Sequence, residues 1–281
     1  MRRRFERDAV LATRRARLLR SGRTVTMSRL APRSPYWLGP LALLAALGSW
    51  QLLWLTGLPD FVLSPLEVAR HFARAVASGE LLPHVGASLL RSLPGFALGT
   101  ALGIGLGLLA GVARGFDQML SPVVFLTYPV PKIVMLPIFM LWFGIGDVSK
   151  ILIIALACFY PSFVNAYYGA RTTPTILVWS ALNMGAGRGQ IFRKVVLPGA
   201  LPLVFAGVRV SLALSFILLF STEMNNARSG LGSLIRQAES SLAFDLMYVS
   251  IVAIAILGWA SDRLLRALRG RVLAWQDATA A

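Results

Sequence analysis

The sequence predicts an all-α integral membrane protein of about six membrane-spanning helices, and three observations carry that reading. The 281 residues are 56% hydrophobic and only 14% charged, with a mean hydropathy of +0.67. Several apolar runs approach twenty residues, the length that crosses a bilayer as a helix. The net charge of +16 is gathered at the termini and in the connections between apolar runs, with eleven arginines in residues 1–33. A basic balance can signal nucleic acid, but this distribution is the one that membrane orientation demands, so no nucleic-acid partner is expected.

Residues 1–35 are Arg-rich and end in Ala31-Pro32-Arg33-Ser34-Pro35. They read as a cytoplasmic tail: a basic helix on anionic lipid, a solvated extension, or an extension of a chain that truly starts at Met27. The first span covers about residues 36–55, with Trp37, Trp50 and Trp54 as interfacial anchors. Ser64-Pro65-Leu66-Glu67 then opens an amphipathic helix to about Ala77, with Ser64 as cap and Pro65 as the first helical residue. His71 and His84 stand singly and suggest no metal site.

The second span covers about residues 88–112. Gly95, Gly99, Gly103, Gly107 and Gly111 recur at a spacing of four, and such ladders let helix backbones approach closely in lipid. Four residues overshoot one turn by about 40°, so the ladder is expected to wind round the helix and serve more than one neighbour. Gly105-x-Gly107-x-x-Ala110 matches a dinucleotide fingerprint, but no strand pattern precedes it. A short loop with Arg114 and Asp117 is expected at residues 113–118, followed by a third span to about Phe143. Pro129, Pro131 and Pro137 should kink it. Lys132 lies near its middle and must face a cavity, a carboxylate or carbonyls freed by the prolines. Pathway lining and carbonyl capping both remain open for it.

The fourth span covers about residues 148–168. In the loop that follows, Thr173 is expected to cap a short helix that has Pro174 at its first position and runs to about Met184. Gly185, Gly187 and Gly189 form a corner, and a second segment, residues 188–196, carries Arg188, Arg193 and Lys194. Pro198 and Pro202 are expected to stop it and start the fifth span, about residues 201–221, which contains Arg209. Glu223 follows, and a pairing of Glu223 with Arg209 is open to test. Residues 231–245 read as a half-buried helix and residues 246–264 as the sixth span. A basic tail holding Arg263, Arg266, Arg269 and Arg271 closes the chain. Six spans put both termini on the side richer in arginine, the cytoplasm.

Two motifs resemble a known family. Residues 173–202 are similar to the cytoplasmic "EAA" loop of ABC importer permeases: Ala181, Gly185, Phe192 and Val195-Val196-Leu197-Pro198 fall in matching places, while Trp179 stands at the Glu position and Ser180 at the next Ala position. The run from Tyr128 to Asp147, with Pro131-Lys132, Pro137 and Trp142-Phe143-Gly144-Ile145-Gly146, resembles permeases of the nitrate/sulfonate/taurine branch of these binding-protein-dependent inner-membrane components. Glu223 and Gly230-Leu231-Gly232 match the family's Glu and its turn into a short re-entrant helix. The resemblance covers about residues 63–268.

It implies a type I ABC importer permease fold, with residues 36–268 as the transmembrane domain, 171–198 as the coupling loop and 269–281 as a cytoplasmic tail. It implies a homodimer in the bacterial inner membrane, in contact with lipid, served by a separate ATPase and by a periplasmic or extracellular solute-binding protein. The coupling residues it implies are Trp179, Ser180, Ala181, Gly185, Phe192, Leu197 and Pro198, with apolar contact at Trp179 in place of a salt bridge. Lys132, Arg209 and Glu223 are the candidate pathway or intramembrane polar groups. No phosphate loop, catalytic triad or metal-ligand spacing occurs, so no catalysis, metal or cofactor is expected of this chain. Two other classes stay in view: a secondary carrier or channel using Lys132 and Arg209 at the midplane, and a membrane scaffold binding nucleic acid through residues 1–33.

Overall fold

The computed structural model describes residues 37–59 and 61–277, apart from the side chain of Asn226. The 1–35 tail, the Met27 start, Tyr36 and the last four residues therefore lie outside the described residues. The chain divides into two compact units, Met1–Thr56 and Gly57–Ala281. In the first, helix α1 (Leu38–Leu55) carries no charged residue along its length, as a span requires.

The second unit contains only helices among the described residues. Helix α2 (Pro65–Ala77) begins as expected: Ser64 Oγ accepts from Glu67 N–H and Ser64 N–H donates to Glu67 Oε2 at 2.8 Å, a complete capping box. The Ser64 backbone N–H, joined by the Ser64 side chain, holds the Glu67 carboxyl below its ordinary value. The cap is therefore intact at neutral pH and is lost as the pH falls through that lowered value.

Helix α3 (Leu81–Val112) starts seven residues earlier than the expected span, and α4 (Arg114–Thr127) follows after Ala113 alone. The expected loop at residues 113–118 is thus helix, because Asp117 sits well in a first turn. The chain breaks at Pro129 and Pro131, passes through a 3₁₀ turn (Lys132–Met135), and continues as α5 (Leu136–Phe143), the stretch Lys132–Phe143 being bent by 95° from α4. Two prolines two residues apart remove two N–H donors within one turn, so the expected kink becomes a full break.

Helix α6 (Asp147–Arg171) makes the most extensive helix contact in the unit, with α3. A Cβ added at any of the five ladder glycines would come inside 3.0 Å of α6: of Ile151 O at Gly95, Ala155 O at Gly99, Phe159 O at Gly103, Phe163 O at Gly107 and Tyr167 O at Gly111. The ladder therefore serves one neighbour, against the expectation of several. The facing carbonyls recur at the same spacing of four. When the partner crosses along the inclined i±4 row, the row does not drift away from it. Gly107, part of the apparent dinucleotide fingerprint, is one of these packing positions, inside a helix.

The loop supplies α7 (Thr175–Asn183) and α8 (Arg188–Ile191), followed by a π segment (Phe192–Val196) and α9 (Leu197–Asn226). Helix α10 (Leu231–Ser240) is followed by α11 (Phe244–Val272) and the turn α12 (Ala274–Asp277). The expected basic tail is in fact the last turns of α11. Two of its four arginines, Arg269 and Arg271, lie in the last turn, where cations suit a helix C-terminus. Among the described residues five helical stretches are long and apolar enough to cross a membrane, and the bent α4–α5 pair would make a sixth. Ser211, on α9, ties it to α6 inside the bundle, donating to Cys158 O at 2.8 Å and pairing with Ser162 Oγ at 2.8 Å.

Candidate functional site

The loop at residues 173–198 is built as a projecting helix on a buried foot. Pro174, not Thr173, is the N-cap residue of α7. Thr173 is buried and its hydroxyl turns back toward Gly169 O at 3.4 Å, so it is unavailable as a cap. At the other end Gly185 N–H donates to Leu182 O (2.9 Å) and Ala186 N–H to Ala181 O (3.0 Å). This 5→2 and 6→1 pair is a Schellman motif, which needs a left-handed residue just past the helix. Gly185 supplies it with φ of 77°. A Cβ there would meet nothing within 4 Å, so the requirement for glycine is one of backbone angle and not of close packing.

The foot joins loop to bundle. Val178, Ala181, Ala186, Phe192, Val195 and Leu197 pack on a cluster that includes Leu108 of α3, Ala166 and Ala170 of α6, and Ala200 and Val204 of α9. Phe192, Leu197 and Ala181 are thus anchors, and Ser180 Oγ donates to Ile176 O at 2.8 Å. The outward surface of α7 is apolar: Ile176, Leu177 and Leu182 are exposed, with Trp179 at 67%, and Met184, just past the helix, is 85% exposed. Pro198 does not stop the second segment. Residues 188–225 form one helical run, with Pro198 in the first turn of α9, where a missing N–H is tolerated, and with the π turn just before it. Beside the foot, Asp117 accepts from Ser121 Oγ (2.7 Å), Tyr167 Oη (3.0 Å) and Arg171 Nη1 (2.8 Å), tying α4 to the end of α6.

The intramembrane charges are arranged differently from expectation. Lys132 Nζ donates to the carbonyls of Thr127 (2.8 Å), Tyr128 (3.0 Å) and Val130 (2.7 Å) and lies 3.8 Å from the Tyr160 ring centre. This is the carbonyl-capping arrangement. Pro131 has no N–H for the Thr127 carbonyl four residues back, and the ammonium takes that place. Arg209 does not meet Glu223. It pairs with Asp262 of α11, Nε to Oδ1 at 2.8 Å, and Asp262 also pairs with Arg266 at 3.0 Å.

Glu223 is fully buried and its partner is Arg91 of α3, itself only 5% exposed, with Nη1 donating to Oε1 at 2.6 Å. Ser88 Oγ lies 2.9–3.0 Å from both carboxylate oxygens, and Gly232 N–H donates to Oε2 at 2.9 Å. Arg91 also donates to Ser229 O (2.6 Å), to Ser229 Oγ (3.2 Å) and through Nε to Asp147 Oδ1 (2.7 Å). The Gly230-Leu231-Gly232 turn wraps this carboxylate. Gly230 has φ of 117°, and a Cβ there, as at Gly232, would come inside 3.0 Å of the Glu223 side chain. His84 Nδ1 lies 3.1 Å from Gly230 O. The cluster joins α3, α6, α9 and α10, and its polar groups satisfy one another, which is what a buried charge needs. Sequence reading missed Arg91, Ser88 and Asp147. The signal available was a lone arginine inside an apolar helix, one turn from a serine.

Among the described residues no group of three His, Cys, Asp or Glu side chains gathers as a metal would require.

Comparison with known proteins agrees with the motifs. Residues 103–274 match the model of the "Binding-protein-dependent transport system inner membrane component" family. The putative aliphatic sulfonates transport permease protein SsuC of Escherichia coli (strain K12) is 35% identical over 254 residues, covering 89% of this chain and 93% of that protein. The riboflavin transport system permease protein RibX of Chloroflexus aurantiacus is 37% identical over 78% of this chain and 82% of its own. The taurine transport system permease protein TauC of E. coli is 34% identical over 69% and 71%. Among solved structures, an inward-facing MetNI methionine ABC transporter matches with a TM-score of 0.56 at 23% identity, over 66% of this chain and 95% of that one, which shows a shared fold. The chain belongs to the binding-protein-dependent transport system inner membrane components, the membrane-spanning permeases of ABC importers.

Proposed function

We propose that this chain forms the translocation pathway for a small solute of the sulfonate and taurine class, with α7 as the element that docks into a separate ATPase. The observation that carries the coupling role is the exposed apolar surface of α7, centred on Trp179, on a foot packed against α3, α6 and α9. An exposed patch of this kind marks a partner surface, and a rigid foot would pass the partner's motion to three helices at once. Trp179 replaces the carboxylate expected of the family, so contact there is apolar. The relatives named for aliphatic sulfonates and taurine support the solute class.

In this reading two copies form the pathway, a solute-binding protein delivers the solute from outside, and the loop side, with Arg188, Arg193 and Lys194, is cytoplasmic. A Gly187→Cys thiol should then be labelled only from the cytoplasm. The test of function is to purify the complex through this chain, identify the co-purifying subunits, and reconstitute it in liposomes. Ethanesulfonate or taurine uptake that requires both ATP and the binding protein is the expected result. Equal uptake without ATP would contradict it.

A further inference from the structure

At the end of α9 opposite the loop, the buried Arg91–Glu223 cluster holds a stretch of chain still. Ala227 N–H donates to Glu223 O at 3.2 Å, Ser229 is held by Arg91, and Gly232 N–H is held by Glu223. Arg228 lies between these fixed points. Arg236 lies farther along, on α10, and both side chains line one pocket of about 310 Å³ with Ser233, Gln237 and Ser240. Those four α10 residues recur at i, i+3, i+4 and i+7, so they share one face of the helix. The opposite face cannot turn to replace it, because Leu231 and Leu234 are buried against Leu81 of α3 and Val249 and Ala253 of α11.

Arg228 and Arg236 are exposed, and neither makes a hydrogen bond or ion pair with a described residue, although Glu239 is also exposed on α10. Arginines on a convex surface are usually just solvated. Here both line one concavity on a backbone held by buried hydrogen bonds, and an anion placed between them is attracted by both charges. Guanidinium forks match the paired oxygens of a sulfonate or carboxylate, and the backbone that carries them is already held, so its ordering costs little on binding.

We propose that this pocket is an oxoanion-recognition site, taking the sulfonate or carboxylate head of the solute as it enters the permease. The proposal rests on the importer reading above and adds where the solute's charge is met. Helix α9, at 30 residues, separates the pocket from the loop by roughly 45 Å, so the site lies on the entry side. A carboxylate on the solute-binding protein carries the same chemistry, and the test distinguishes the two sources.

The test uses the full-length permease, purified with its ATPase into lipid nanodiscs without binding protein, and titrates ethanesulfonate and sulfate by calorimetry. Saturable binding is expected for the wild type. Arg228→Gln or Arg236→Gln should weaken it by roughly tenfold or more, the worth of one charge-assisted hydrogen bond. Arg74→Gln, on α2 outside the pocket, should leave it unchanged. Absence of saturable binding to the wild type, or unchanged binding in the double Gln variant, overturns the proposal. So does a double variant that keeps anion binding but loses capture of the binding protein, which would make the pocket a protein dock. Co-purification of the ATPase reports on the importer reading separately. A complex that holds its ATPase yet binds neither anion sinks the pocket alone.

Discussion

Glu223 and Gly185 show how single residues set the two ends of this permease. Glu223 is wholly buried, and each of its carboxylate oxygens has partners on α3 or α10. Removing it leaves the buried Arg91 guanidinium with the exposed Asp147 as its one carboxylate partner, and losing one partner of a buried pair typically costs about 3–5 kcal/mol. Glu223→Ala should therefore lower the thermal stability of the purified permease sharply. The double variant Arg91→Met/Glu223→Leu should recover much of the loss, because apolar groups of similar volume often replace a buried pair at little cost. An E223A protein as stable as the wild type would contradict the clamp. Gly185 acts through its backbone alone. Its φ of 77° with open space around it means that a β-branched residue is penalised for conformation and meets no clash, a cost of roughly 1–2 kcal/mol for an L-residue in that region.

Among the elements, the α3–α6 pair bears most weight. Its glycines face carbonyl oxygens at matching spacing, so packing there depends on the absence of a Cβ. Gly99→Leu should reduce the yield of folded permease in the membrane and its stability in detergent. Gly105→Ala, at a position with open space, should be close to neutral. Both substitutions raise helix propensity, so equal loss in both variants would contradict the α6 contact as the cause. The ladder itself was legible in the sequence, but the number of its neighbours was not, because a repeat says nothing about the crossing direction of the partner. Capping chemistry was legible where it is local: the Ser64–Glu67 box needs only four residues. It failed at Thr173, where burial beside α6 overrode the local preference, and at Pro198, where a π turn carried the helix through.

Over the whole molecule, the loop could be placed from sequence because its spacing is short-range: Gly185, Phe192 and Leu197-Pro198 lie within one stretch. The polar cluster could not, since its members come from residues 88–91, 147 and 223–232, and only folding brings them together. The pairing of Arg209 with Asp262 was hidden for the same reason. The fold thus has two fixed ends, a clamped turn at Glu223 and an exposed apolar helix on a packed foot, joined by the length of α9. The central claim is that α7 transmits the force of an ATPase. The measurement that tests it most directly is co-purification of the ATPase with the wild type, Trp179→Ala and Gly185→Val, each scored beside ATP-driven uptake. Trp179→Ala should lose an aromatic anchor and weaken association, by about 2 kcal/mol or more, the loss that defines an interface hot spot. Gly185→Val should remain in the membrane, bind less ATPase and transport more slowly than the wild type. Full association and full uptake in Gly185→Val would contradict the account.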